Sequence, residues 1–317
     1  MSKKPLLILV GPTAVGKTAI SIDVAKAINA EIISADSMQI YKFMDIGTAK
    51  ISKEEMKNIK HYMINEIYPD EEFSVSDFQK KAYEYIDTIL NKGKLPMVVG
   101  GTGLYINSLV YDLDFTRAVS NWSLRNEFLK KAEQFGNEYI HDNLKQVDPE
   151  SAERIHINDT KRIIRALEVY YDTGTPMSKY YNSFRQYNSI FNLTMLGLNM
   201  DRKELYDTIN IRVDDMISNG LINEVNNLLN MGYSENYVSM QGLGYKEIVK
   251  YLKGQYSLDE AVDILKRDSR RFAKRQLTWF RRDERIHWIN IDDFDNKNSI
   301  VEYIINYVKE RFEINNN

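Results

Sequence analysis

The chain has 317 residues, a formal net charge of −3, four histidines and no cysteine, which excludes disulfides, thiolate metal sites and a cysteine nucleophile and argues against structural zinc. Its length suffices for one large domain with an insertion, or for two domains. No apolar run approaches the ~20 residues that cross a bilayer. The apolar start "MSKKPLLILV" passes directly into "GPT", as a strand entering a loop does and a signal peptide does not. A cytoplasmic, monomeric protein with no membrane partner is expected.

A strand over 5–10 opens the chain, followed by a loop over 11–17. The helix from Thr18 to Asn29 places Ile20, Val24 and Ile28 on one face. "EIISAD" (31–36) reads as a short buried strand ending in an acid, and a helix follows at 76–91. "LPMVVGGTGLYI" (95–106) is a buried strand that runs into a second glycine-rich turn and another helix. Alternating buried strands and helices predict a parallel, doubly wound sheet. From 116 to 190 the pattern becomes helical, in "WSLRNEFLKKAEQFGNEYIHDNLKQVD" and "TKRIIRALEVYYDTG", and ends in the polar linker "TGTPMSKYYNSFRQYNS". A strand returns at 191 in "FNLTMLGLNM". Helices at 203–231 and 258–282 and an alternating strand at 286–291 follow, and the terminal "EINNN" reads as frayed. The expected fold class is α/β: a P-loop three-layer core with a parallel sheet, formed by 1–115 and 191–317, and an inserted all-helical domain at 116–190.

"GPTAVGKT" satisfies G-x-x-x-x-G-K-[ST] in full, between a strand and an amphipathic helix. Gly11, Pro12, Thr13, Ala14, Val15, Gly16, Lys17 and Thr18 therefore read as a phosphate cradle. Its glycines let backbone amides converge on phosphate oxygens, Lys17 adds a point charge, and the Thr18 hydroxyl suits Mg²⁺ at the helix N-terminus. The loop alone does not identify the ligand, because an ATPase or GTPase needs a further acid on the metal. "PMVVGG" offers none, and "INIDDFD" reads as a solvated acidic turn. Asp36 remains, as a Mg²⁺ ligand, a general base or a helix cap. Its place at the carboxyl end of a strand, where open α/β sheets bind ligands, favours a functional role.

Further along, "KRDSRRFAKRQLTWFRRDER" (266–285) holds nine Lys or Arg residues. Arg267, Arg271, Lys274 and Arg275 stand at helical spacing, interleaved with Phe272, Leu277, Trp279 and Phe280, as phosphate contacts with apolar anchoring require. In "KRIIRALEV", Lys161, Arg162 and Arg165 share roughly one face while Ile163, Ile164 and Leu167 can pack inward.

In order, "GPTAVGKT", "EIISADSMQIYKFMDIGTAK", "VVGGTGLYI", "DTKRIIRALEVY", "MQGLGYKEI" and "RRFAKRQLTWFRR" with "HWI" resemble the motifs of the bacterial tRNA dimethylallyltransferases, over about residues 5 to 290. The resemblance implies transfer of a dimethylallyl group from its diphosphate to N6 of the adenine 3′ of the anticodon, with Mg²⁺. It implies Asp36 as general base. It places Lys17, Thr18 and Arg212 at the diphosphate and Thr13 at the substrate. It also implies that Asp36, Ser37, Met38, Gln39, Thr102, Arg125, Lys161, Arg162, Ile163, Ile164, Arg165, Gln241, Gly244, Tyr245 and Arg275 meet the tRNA anticodon stem-loop. Where the family usually has another arginine, a turn before Arg212, this chain has Thr208. A small-molecule kinase and an isopentenyltransferase for free adenine nucleotides are the alternative readings.

Overall fold

The computed structural model describes residues 3–111, 113, 121–180 and 187–313. Two compact units emerge, one within 1–106 and 189–317 and the other within 107–188. The division at 106/107 falls inside the helix Gly103–Val110, earlier than the expected 115/116, because that one helix carries the chain out of the sheet. Residues 115 and 116 themselves lie outside the described residues, as do 181–186 of the linker and 314–317 of the terminus.

The first unit is built on strands β1 (Lys4–Val10), β2 (Ala30–Ala35), β3 (His61–Tyr62), β4 (Leu95–Gly100), β5 (Phe191–Asn199) and β6 (Ile286–Asn290). They form one sheet in the order β3-β2-β4-β1-β5-β6, with every neighbouring pair parallel. Leu6 to Val10 of the central β1 are fully buried, as a strand covered on both faces must be. Helices α1 (Lys17–Ala27), α2 (Val75–Asn91) and α3 (Gly103–Val110) follow β1, β3 and β4. Ile20, Val24 and Ile28 all pack into the core beneath α1.

Register decides where the loops emerge. Gly100 pairs with both Val10 and Ala35, so β1, β4 and β2 end level with one another. The phosphate-type loop, the glycine turn and Asp36 thus leave the sheet side by side, on the edge where open α/β sheets bind ligands.

In the second unit α4 (Trp122–Val147) is interrupted at Gly136 (φ 84°, ψ 167°), so the expected single helix is two helical segments. Helices α5 (Pro149–Arg154), α6 (Thr160–Thr173) and α7 (Met177–Tyr180) follow, around Phe128, Ile140, Leu144, Ile163, Ile164 and Leu167.

Back in the first unit, the predicted helix 203–231 is also two. Helices α8 (Arg202–Ser218) and α9 (Leu221–Asn230) are divided by Gly220, whose left-handed φ of 100° ends the run. Helix α10 (Tyr245–Leu252) precedes α11 (Leu258–Phe280), and α12 (Lys297–Phe312) packs beside α1 through Ile304 and Val308. Among the described residues no helix is long and apolar enough to cross a membrane.

Candidate active site

Three loops meet over the sheet. Behind β1, the Lys17 ammonium donates to the carbonyls of Gly11 (2.8 Å) and Pro12 (2.7 Å). Behind β2, Asp36 Oδ1 accepts from the amides of Met38 (2.8 Å) and Gln39 (3.3 Å). Asp36 Oδ2 has no hydrogen-bond partner among the described residues. Behind β4, Thr102 donates its amide to Ala35 O (3.1 Å) and accepts from the Ser37 amide through Oγ1 (3.1 Å). Asp36 therefore caps the turn at 37–40, where the sequence suggested a helix cap, and its carboxylate also stands on the cavity wall.

Gln276 joins the first loop to the third. Its Oε1 accepts from the Thr13 amide (2.8 Å), and its Nε2 donates to Gly101 O (3.0 Å). A Cβ on Gly101 would lie 2.1 Å from Gln276 Nε2, so glycine is required there by close approach. Sequence reasoning missed Gln276. The signal was available, because it falls on the buried stripe of α11 with Leu265, Ala273 and Phe280, where a lone amide needs a partner.

A cavity of about 740 Å³ lies among these loops, lined by Thr13, Lys17, Thr18, Asp36, Gln39 and, from α8, Arg212. Its apolar wall includes Ile22, Ile32, Ile46, Ile51 and Phe272. Burial lowers the Lys17 pKa to about 7; the Asp36 carboxylate opposes the shift and the Arg212 cation adds to it. Burial also pulls Arg212 below its usual value, with Asp215 opposing. Lys17 and Arg212, neither with a carboxylate at ion-pair distance among the described residues, line one cleft in which a bound anion would favour the charged form of each. Thr208 donates its hydroxyl to Glu204 O (2.9 Å) within α8 and takes no part in the cavity wall, leaving Arg212 as the α8 arginine of the site.

Among the described residues no three Asp, Glu or His side chains gather around a metal position. Mg²⁺ asks for less: it keeps several waters and takes one or two protein ligands beside phosphate oxygens. The exposed Thr18 and the Asp36 carboxylate, both on the cavity wall, fit that requirement.

The family model described as IPP transferase matches residues 39–283. The chain belongs to the IPP transferase family. The tRNA dimethylallyltransferase of Acetivibrio thermocellus is 55% identical over 303 residues, covering 96% of this chain and 97% of its own. That of Alkaliphilus oremlandii is 56% identical over 310 residues, covering 98% and 99%. Among solved structures, the tRNA isopentenylpyrophosphate transferase of Bacillus halodurans has a TM-score of 0.72 at 43% identity, over 98% of this chain and 99% of its own. A eukaryotic dimethylallyltransferase acting on tRNA has a TM-score of 0.81 at 28% identity, over 97% and 80%.

For this IPP transferase family member the RNA-facing candidates divide by burial. In the first unit, Arg275 is exposed on α11 with its guanidinium 5.8 Å from the Phe272 ring centre, and Gln241 is exposed with its side chain donating to Glu235 O. Gly244 is buried at the start of α10. Tyr245 is fully buried, so its side chain belongs to the core; the helical turn that follows a glycine hid this in the sequence. In the second unit, Lys161 and Arg162 are exposed, whereas Ile163 and Ile164 are packed inside, each burial worth roughly 1.5–3 kcal/mol.

Arg125 and Arg165 have an internal partner. Both pair with Glu168, which is fully buried; Arg125 Nε and Nη2 reach its two oxygens at 2.8 and 3.0 Å. The Asn121 amide completes the set at 2.7 Å. These two arginines neutralise an internal carboxylate, and each keeps part of its side chain exposed. The basic run on α11 is likewise partly consumed: Asp268 pairs Arg267 and Arg271, and Asp214 pairs Lys266.

Proposed function

We propose that this protein transfers a dimethylallyl group from dimethylallyl diphosphate to N6 of the adenine beside the anticodon of tRNA, releasing diphosphate. The observation that carries the reading is one cavity lined by both the Asp36 carboxylate, whose Oδ2 is free among the described residues, and Lys17 and Arg212, neither of them ion-paired among the described residues. As the N6–C1 bond forms and the C1–O bond of the donor breaks, Asp36 Oδ2 takes the N6 proton, which the poorly nucleophilic amine must lose. The diphosphate leaves against Lys17, Arg212 and the loop amides, which stabilise the growing negative charge. Mg²⁺, held by Thr18 with Asp36 near by, would supply further charge neutralisation. The isoleucine wall accepts the prenyl tail and keeps water from the reacting carbon.

Incubating the protein with Mg²⁺, dimethylallyl diphosphate and unmodified tRNA, with AMP in place of tRNA in a parallel reaction, tests the reading by nucleoside mass analysis. Prenylated adenosine in the tRNA digest is expected. Prenylated AMP beside untouched tRNA would overturn the substrate, and ATP turnover without prenyl transfer would overturn the reaction.

A further inference from the structure

From Asp36 to Lys50 the chain runs as a series of turns, yet it supplies a wall of the cavity through Gln39, Asp45, Ile46 and Thr48. Phe43 (φ 66°) and Ala49 (φ 47°) sit in the left-handed region, which such residues do not adopt without outside support.

The support is ionic and comes from two sides. The Lys50 side chain, 2% exposed, donates to Tyr41 O (2.6 Å), Asp45 Oδ1 (2.8 Å) and Asn65 Oδ1 (2.7 Å). Opposite it, the Glu224 carboxylate on α9 accepts from the amides of Asp45 (2.9 Å), Ile46 (2.7 Å) and Gly47 (3.1 Å). It also accepts from the buried Tyr245 phenol at 2.7 Å. Gly47 lies so close to that ring that a Cβ there would stand 2.6 Å from it. Three converging backbone amides form an anion nest, and here the protein fills the nest with its own side chain.

We propose that Glu224 is a positioning residue for the prenyl donor: its charge fixes the 45–47 turn and thereby Ile46 against the prenyl tail, setting donor affinity and chain-length selectivity without touching the donor. The inference rests on the proposed transferase function. A glutamine in its place keeps the shape but turns one oxygen into a donor facing donors, and a hydrogen bond to a charged group is worth more than a neutral one. With the turn loosened, Ile46 no longer closes the wall, and a longer prenyl chain loses less than the five-carbon one.

The test compares wild type, Glu224→Gln and Tyr245→Phe for KM and kcat with dimethylallyl and with geranyl diphosphate, alongside tRNA affinity and thermal unfolding. Glu224→Gln should raise the KM for dimethylallyl diphosphate by ~10-fold, as loss of a charged hydrogen bond implies. It should also lower the preference for the five-carbon donor and leave tRNA affinity unchanged. Tyr245→Phe should shift both in the same direction by less. A folded Glu224→Gln protein with wild-type donor KM and preference overturns the proposal. Should that variant fail to fold, wild-type values in Tyr245→Phe do the same. A wild-type protein that transfers no prenyl group refutes the proposed function instead.

Discussion

Gln276 holds the backbone of Thr13: the side-chain oxygen on α11 accepts the Thr13 amide at 2.8 Å, while the same side chain's nitrogen serves Gly101 O. One amide thus ties the phosphate-type loop to the glycine turn that carries Thr102. Gln276→Leu removes both bonds at a nearly constant volume and leaves the part-buried Thr13 N–H and the buried Gly101 C=O without that partner. A buried orphan costs about 1–3 kcal/mol, and with only the Gly101 carbonyl buried a loss of about 1–3 kcal/mol is expected in urea unfolding with an unchanged m-value. Under the proposed function the donor KM should rise as well, since the loop assigned to the diphosphate is freed. Wild-type stability in the variant would mean that other groups satisfy Thr13 and Gly101.

The lowered Lys17 pKa predicts that binding of the proposed diphosphate donor is proton-linked. Its folded-state pKa of about 7 lies below the ordinary 10.5, chiefly because it is buried. Between those values the unfolded chain holds a proton that the folded chain has released, so stability of the free protein rises with pH across that window. Below pH 7 both states are protonated and the cost of burying the ammonium is fully present. A diphosphate on the loop favours the charged lysine, so binding at about pH 8 should take up a proton. Calorimetry of dimethylallyl diphosphate binding in buffers of different ionisation enthalpy measures that uptake. Lys17→Met should abolish it, and a buffer-independent heat for wild type would refute the linkage.

Much of this site was legible because it is built from local chemistry. A strand, a glycine loop and a helix announce a phosphate cradle from spacing alone, and the acid closing "EIISAD" stands out because no neighbouring strand ends in one. The roles that stayed hidden depend on partners distant in sequence. Glu224 reads as one more solvated helix acid until the 45–47 amides fold onto it, and Gln276 reads as part of a basic stripe until Thr13 meets it. The tie of Arg125 and Arg165 to Glu168 stayed hidden for the same reason, since a charge's partner is chosen by packing. The short β3 was missed because two residues carry no periodicity, and its place at the sheet edge comes from pairing with Ile32 and Ile33.

Asp36 caps the turn at Met38 and Gln39 and is the base of the proposed reaction, and two substitutions separate these roles. Asp36→Asn keeps an oxygen for the Met38 and Gln39 amides but cannot take a proton, whereas Asp36→Ala loses both functions. Each should lower single-turnover prenyl transfer by ~10²-fold or more, the usual effect of losing a general base. Only the alanine variant should also lose about 1 kcal/mol of stability, as removal of a cap does. An asparagine variant with near-normal transfer would reject Asp36 as the base.

Arg125 and Arg275 were equal candidates for tRNA phosphate, and their surroundings predict opposite behaviour. Arg275 is exposed and bears on no carboxylate among the described residues, so Arg275→Ala should change stability by no more than about 0.5 kcal/mol. It should weaken tRNA binding and reduce the slope of log affinity against log salt by up to ~1, one phosphate contact fewer. Arg125→Ala instead strips a bidentate partner from the fully buried Glu168, which among the described residues keeps Arg165 and the Asn121 amide. A stability loss of about 1–3 kcal/mol is expected in urea unfolding, with the salt slope held at the wild-type value. Adding Glu168→Gln to Arg125→Ala should return part of that loss, because the uncompensated charge is then gone. A salt slope that falls in Arg125→Ala as it does in Arg275→Ala would place Arg125 on the RNA despite its bond to Glu168.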